Sequence, residues 1–372
     1  MTIKKILATL LALSMTLSLA ACGGNSTQTG TTQSEQTEES SSVSDESVSD
    51  ETTAENTETE TPADETEASE PAEKVDINLA ALSGPTALGM LDLLEKNENG
   101  EAANNYNVTI ATAPDEVTGK IISGELDIAA VPTNVASTLY NKTEGQVQIA
   151  ALNTMGVLYV LETDDTIQSV ADLAGKTIYA TGQGSTPEYA LNLVLEKNGL
   201  TPGEDVEIVF AADNAEIAPL LASGEAQVAL LPQPFVTSVL TQNENVRVAL
   251  DLTEEWDKAV NGESGLTMGC VVVRKEFAEQ NKEALDRFLD EYKQSVETVT
   301  SEEGLAHAAE LAEHYNIIKA AVAEKAIPEC NIVFVEGDEM QQIAGGFLQV
   351  LYDANPQAVG GQLPNDDFYY KR

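Results

Sequence analysis

Six short segments carry hydroxyl, amide or carboxylate side chains where a strand pattern gives way to a helix pattern, and their chemistry is capture by hydrogen bonding. They are Ser83-Gly84-Pro85-Thr86, Pro132-Thr133-Asn134, Asn153-Thr154-Met155-Gly156, Gly184-Ser185-Thr186-Pro187-Glu188, Asp213-Asn214 and Pro232-Gln233-Pro234-Phe235. In open α/β sheets a ligand binds beyond the carboxyl ends of the strands, where helix amino termini present free N–H groups. Gly84 lets backbone approach a ligand closely, and Thr86, Thr133, Asn134, Asn153, Ser185 and Thr186 can both donate and accept. Each also has an ordinary reading as a cap or turn residue. No lysine or arginine falls in these segments, so an anion would rest on amides, hydroxyls and helix dipoles alone. A neutral or partly cationic organic molecule fits at least as well, stacked on Phe235, Tyr159 or Trp256, with Glu188 or Asp213 accepting from an amine.

Bond-making chemistry finds fewer parts. The two histidines, His307 and His314, are seven apart on one helical face and lie outside the six segments. No Ser-His-Asp or Cys-His arrangement and no cluster of metal ligands can be assembled there, so neither metal nor cofactor is expected. Gly182-x-Gly184 follows a strand, but Pro187 replaces the third glycine of a dinucleotide-binding turn.

The elements that would position the six segments alternate from Val75 onward as short β-rich runs and helical stretches, the pattern of an α/β protein with mostly parallel sheets. One unit occurs twice, 100 residues apart: Ser123-Gly124-Glu125-Leu126-Asp127-Ile128-Ala129-Ala130-Val131-Pro132 matches Ser223-Gly224-Glu225-Ala226-Gln227-Val228-Ala229-Leu230-Leu231-Pro232. A period this long suits two similar lobes and not a solenoid. The 298 residues from Val75 hold 47 acidic and 16 basic side chains, which leaves no basic face for nucleic acid.

Ahead of them, Lys4 and Lys5 precede an apolar run that ends at Leu19-Ala20-Ala21-Cys22. About 16 apolar residues reach only about 24 Å, short of a bilayer core, so the run reads as a signal over residues 1–21. The ending resembles the lipobox of bacterial lipoproteins, which implies that Cys22 is lipidated and becomes the mature amino terminus. Residues 25–74 contain 20 Ser/Thr and 15 Asp/Glu. A segment so polar has too little to bury to fold alone, and residues 22–74 are expected to form a tether; fifty residues of coil span roughly 39 Å. In an oxidising compartment Cys270 and Cys330 can pair as a disulfide or stay free.

The folded part resembles the periplasmic-binding-protein type II superfamily, and within it the solute-binding lipoproteins of ABC importers grouped with nitrate, sulfonate, taurine and thiamine-precursor binders. The resemblance rests on the unit at 123–129, on Asp172-Leu173-Ala174-Gly175-Lys176, on Gly182-x-Gly184-Ser185, on Pro232-Gln233-Pro234-Phe235 and on Val271-Val272-Val273-Arg274, and it covers residues 75 to about 350. It implies two α/β lobes joined by two crossings, near 161–167 and 262–267, with residues 75–161 and 267–372 in lobe one and 162–266 in lobe two. The expected solute contacts are then Gly84, Pro85, Thr86, Thr133, Asn134, Asn153, Thr154, Ser185, Thr186, Glu188, Asp213, Gln233 and Phe235. It further implies a monomer, not an enzyme, held to the outer face of the cell membrane and passing a small organic solute to a permease. Two other readings stay open: an enzyme of the same fold acting on a small pyrimidine or aromatic acid, and a display or signalling lipoprotein.

Overall fold

Residues 73–112 and 114–372 are described by the computed structural model; the signal, Cys22 and nearly all of the tether lie outside them. Eleven strands are formed among the described residues: β1 Asp76–Leu82, β2 Asn105–Ala111, β3 Ile128–Pro132, β4 Val147–Met155, β5 Leu158–Glu162, β6 Thr177–Ala180, β7 Glu207–Phe210, β8 Val228–Pro232, β9 Arg247–Asp251, β10 Thr267–Arg274 and β11 Ile332–Val335. They make a six-stranded sheet ordered β11-β4-β10-β3-β1-β2 and a five-stranded sheet ordered β7-β6-β8-β5-β9.

The repeated sequence unit is the heart of each sheet. Helices Pro114–Ser123 and Asn214–Ser223 lead into β3 and β8, and Gly124 and Gly224 take φ of 80° and 76°, the left-handed conformation that ends a helix and that glycine adopts without strain. Both strands are short apolar runs, Ile-Ala-Ala-Val-Pro and Val-Ala-Leu-Leu-Pro, with their first four residues buried, as strands covered on both faces must be. In the first half β1 lies parallel to β2 and β3, and in the second β6 lies parallel to β7 and β8.

The remaining pairs run antiparallel, so the sheets are mixed and not mostly parallel. Four of these five pairs follow from the crossings. β5 and β10 each enter directly from the other sheet and run against both neighbours.

Sheet membership places the first passage at Gly156 and Val157, between β4 and β5, upstream of the 161–167 expected. Residues 161–167 lie wholly inside the second half: Glu162, buried at the end of β5, accepts from the N–H groups of Thr166 and Ile167 at 3.2 Å and is paired with Arg247. Within residues 147–162, apolar runs lie on either side of Asn153-Thr154, and Gly156 marks the turn-over. A Cβ on Gly156 would fall 2.1 Å from Thr253 Oγ1. The second passage runs through 260–266, after helix Leu252–Ala259 and before β10.

Several sequence features resolve into structure. In Asp172-Leu173-Ala174-Gly175-Lys176, Asp172 accepts from the Gln168 and Ser169 N–H groups at 3.0 and 2.9 Å and from Ser169 Oγ at 3.0 Å. Those bonds hold its carboxyl below the usual range and fix the short turn Val170–Leu173 ahead of β6. Cys270 and Cys330 are both buried free thiols. Cys270 lies on β10, whereas Cys330 caps the short turn Ile327–Glu329 ahead of β11. Burial raises the Cys330 thiol to about 12. His307 and His314 are exposed helix residues 2.8 and 3.1 Å from Glu95 and Glu98.

Candidate functional site

A cavity of about 500 Å³ lies where the two halves face each other. Its walls are strand ends and the loops that leave them: the end of β1 with Pro85 and Thr86, Pro132 of β3, the 181–187 loop after β6, the 212–214 loop after β7, and Pro232 of β8. The antiparallel β10 contributes its opening residues Met268 and Gly269. These are the carboxyl ends of the parallel strands, as doubly wound sheets dictate.

Of the expected contacts, Pro85, Thr86, Thr154, Ser185, Thr186 and Asp213 line this space. The others lie outside its lining. Gly84 is the N-cap of helix Pro85–Leu88 with φ 134°. Thr133 is buried with its Oγ1 3.0 Å from that of Thr267. Asn134 is buried between the halves: its Oδ1 accepts from Thr186 Oγ1 at 3.1 Å and its amide donates to Ala358 O at 3.2 Å. The Asn153 side chain is fully buried behind Gly269, its Oδ1 accepting from Thr154 Oγ1 at 3.2 Å and its Nδ2 without a partner. Glu188 accepts from the Gly184 N–H at 2.5 Å, which closes the loop that leads into helix Thr186–Lys197. Gln233 Oε1 takes the N–H and hydroxyl of Thr237 at 3.1 and 2.8 Å. Phe235 faces a shallow groove beside helix Asn214–Ser223.

The aromatic faces expected for a flat solute are elsewhere too. Trp256 is fully buried, donates from its indole N–H to Ser264 O at 2.8 Å and packs 5.6 Å from Phe347, fastening helix Leu252–Ala259 to helix Gly337–Ala354. Tyr159 is absent from the lining, and burial, helped by Asp251, raises its hydroxyl to about 12, so it stays neutral. Sequence reasoning passed over Leu82, Val157, Met268 and Gly269, which sit on strands or at the crossing and not in polar loops. The signal was there in Gly269. A Cβ at that position would fall 2.5 Å from Asn153 Oδ1 and 3.1 Å from Thr86, so only glycine lets β10 approach the cavity wall.

Among the described residues no group of three His, Cys, Asp or Glu side chains is placed to hold a metal ion, and the cavity lining contains no histidine, cysteine, lysine or arginine. What it contains is a set of hydroxyls, one amide and one carboxylate around an apolar floor, which suits reversible binding. Among the described residues no helix is long and apolar enough to cross a membrane.

A family profile described as the phosphonate ABC-transporter periplasmic substrate-binding protein matches residues 92–324. No curated protein matches the sequence. An ABC transporter structure from Parabacteroides distasonis is similar at 24% identity and TM-score 0.66, over 80% of this chain and 99% of that one. The periplasmic aliphatic sulphonate binding protein of Escherichia coli follows at 14% identity and TM-score 0.64, over 80% and 92%. The alkanesulfonate-binding protein of Xanthomonas axonopodis pv. citri bound to MOPS gives 16% and 0.61, over 79% and 96%. These likenesses establish the two-lobed periplasmic-binding-protein fold, while the profile covers well over half of the chain. With a cavity of solute size enclosed by both halves, the chain belongs to the family of periplasmic substrate-binding proteins of phosphonate ABC transporters, the solute-binding component of an importer.

Proposed function

We propose that this protein is a lipoprotein tethered through Cys22 outside the cytoplasm, and that it captures a small organic solute by closing its two halves and hands it unchanged to a membrane permease. The observation that carries this reading is a cavity whose walls are drawn from both sheets. Solute held there bridges the halves and favours the closed arrangement, the linkage on which hinge-closing binders depend. The bond from Thr186 to Asn134 joins the halves in that arrangement behind the cavity. The pairing of a signal ending at Cys22 with an acidic Ser/Thr-rich tether supports the anchor, since two or more acyl chains hold a protein durably to a bilayer.

Two measurements test it. X-ray scattering of the folded part with and without its solute is expected to give a smaller radius of gyration for the bound form; an unchanged radius would remove hinge closure. Cys22→Ser is expected to move the protein from the membrane fraction to the soluble one, and retention in the membrane would remove the anchor.

A further inference from the structure

The cavity's hydrogen-bonding groups have a direction. Thr86 Oγ1 donates to Leu82 O at 2.6 Å, Ser185 Oγ to Gly182 O at 2.7 Å, and Thr186 Oγ1 to Asn134 Oδ1 at 3.1 Å. In the last pair the Asn134 amide donates to Ala358 O, so its oxygen must be the acceptor. The hydroxyl hydrogens of Thr86 and Ser185 therefore point into protein, and their oxygens, on partly exposed residues, offer lone pairs to the cavity, whereas Thr186 is fully buried. The one amide of the lining, Asn214, accepts from Thr181 Oγ1 at 2.7 Å and keeps its NH2 as a donor. Backbone donors are also reduced. Proline occupies the first position of helix Pro85–Leu88 and the second of helix Thr186–Lys197, where an N–H would otherwise be free. At helix Asn214–Ser223 the Asp213 carboxylate takes the Ala215 N–H through Oδ1 at 2.8 Å, leaving Oδ2 without a hydrogen-bond partner among the described residues. Asp213 is also the only charged residue in the lining, and the folded part around it has 47 acidic against 16 basic side chains.

We infer that the cavity selects an organic cation, an amine carried on an apolar body, with Asp213 as its counter-charge and the hydroxyl oxygens of Thr86 and Ser185 as acceptors. This rests on the solute-binding reading above and names the class of solute. An ammonium group supplies the donors that these oxygens lack, and Leu82, Val157 and Met268 take the apolar body. A phosphonate or sulfonate asks for the opposite arrangement. It brings only acceptors, it meets no lysine or arginine, and the field of the protein opposes its approach.

The test uses the chain from Val75 within the full mature protein and four probes on one body: phenethylamine, 2-phenylethanol, 2-phenylethanesulfonate and 2-phenylethylphosphonate. Thermal shift and titration calorimetry are expected to rank the amine first, with neither anion raising the melting temperature, and the amine's affinity is expected to fall with added salt. Asp213→Asn is expected to weaken amine binding at least tenfold while leaving the melting temperature of the free protein in place, because asparagine caps a helix as well as aspartate. In parallel, the solute released from protein purified from its own cells is identified by mass, and an amine without phosphorus or sulfur acid groups is expected. A sulfonate or phosphonate that binds above the amine, or is released from the native protein, overturns the cation assignment and leaves solute capture standing. Amine binding unchanged in Asp213→Asn overturns the role of Asp213. If no probe binds and no solute is released, the solute-binding reading falls, and this inference with it.

Discussion

Replacing Gly156 with alanine is the sharpest steric test of the crossing between the halves. The added Cβ would lie 2.1 Å from Thr253 Oγ1, 2.7 Å from its Cγ2 and 2.9 Å from its Cβ, so all three atoms of one side chain are in the way. Thr253 has little freedom to yield. It occupies the first turn of helix Leu252–Ala259, and its N–H is held by the Asp251 carboxylate at 2.8 Å. Overpacking of a fixed site costs typically about 1–3 kcal/mol, and an overlap of this depth belongs at the upper end, about 3 kcal/mol. For a domain of this size 1 kcal/mol is worth roughly 2 °C, so Gly156→Ala is expected to lower the melting temperature by roughly 4–8 °C. The partner variant supplies the control. Thr253→Gly removes every clashing atom, and the double variant is expected to recover most of the loss, giving a coupling of about 2 kcal/mol in a urea-denaturation cycle. If Gly156→Ala costs less than about 0.5 kcal/mol, or its cost adds to that of Thr253→Gly without coupling, then the close approach of the crossing to Thr253 does not exist in solution.

The cysteines and the helix histidine give two further tests. Cys270 and Cys330 are expected to leave mobility and melting temperature the same with and without reductant and to resist alkylation until the protein is unfolded, because burial holds both thiols protonated; mass evidence of a Cys270–Cys330 bond would contradict the two separate buried thiols. Hydrogen bonding to Glu95 raises His307 above its usual value, so its contribution is fully present below about pH 6.5 and fades as pH rises through the folded value. With the pair more than half exposed on the histidine side, His307→Gln is expected to destabilise by under about 1 kcal/mol at pH 5.5 and by nothing measurable at pH 8.5, and a loss independent of pH would mean that packing and not charge is at stake.

The parts of the fold that were legible in the sequence are those fixed by local rules. The duplicated unit ending at Pro132 and Pro232 states its helix, its left-handed glycine and its buried strand residue by residue, and the structure places the two copies at equivalent places in the two sheets. Strand direction was less legible. β5 and β10 look like any other apolar runs, and only the pairing across the whole molecule makes them antiparallel to their neighbours. The polar loops were found from composition, since only surface loops tolerate so many small hydroxylic and amide residues, yet composition does not say which way a side chain turns. Asn134, Gln233 and Glu188 complete bonds within the protein, while Val157, Met268 and Gly269 reach the cavity from strands and the crossing. Trp256 illustrates the same ambiguity: a lone large aromatic serves equally as a stacking face or as core, and burial decides for core.

The exchange of strands between the sheets also sets an order of events. β5 through β9, residues 158–251, are one unbroken stretch of chain and complete the second sheet by themselves. The first sheet instead has its middle strand, β10, and one edge, β11, delivered only from residue 267 onward. A chain still emerging can therefore close the inserted half while β3 and β4 lack the strand that joins them, and the outer half must wait for its carboxyl end. Pairings across so much sequence form late. For a protein whose family works outside the cytoplasm, that delay keeps half of the molecule loose until almost all of it has been made.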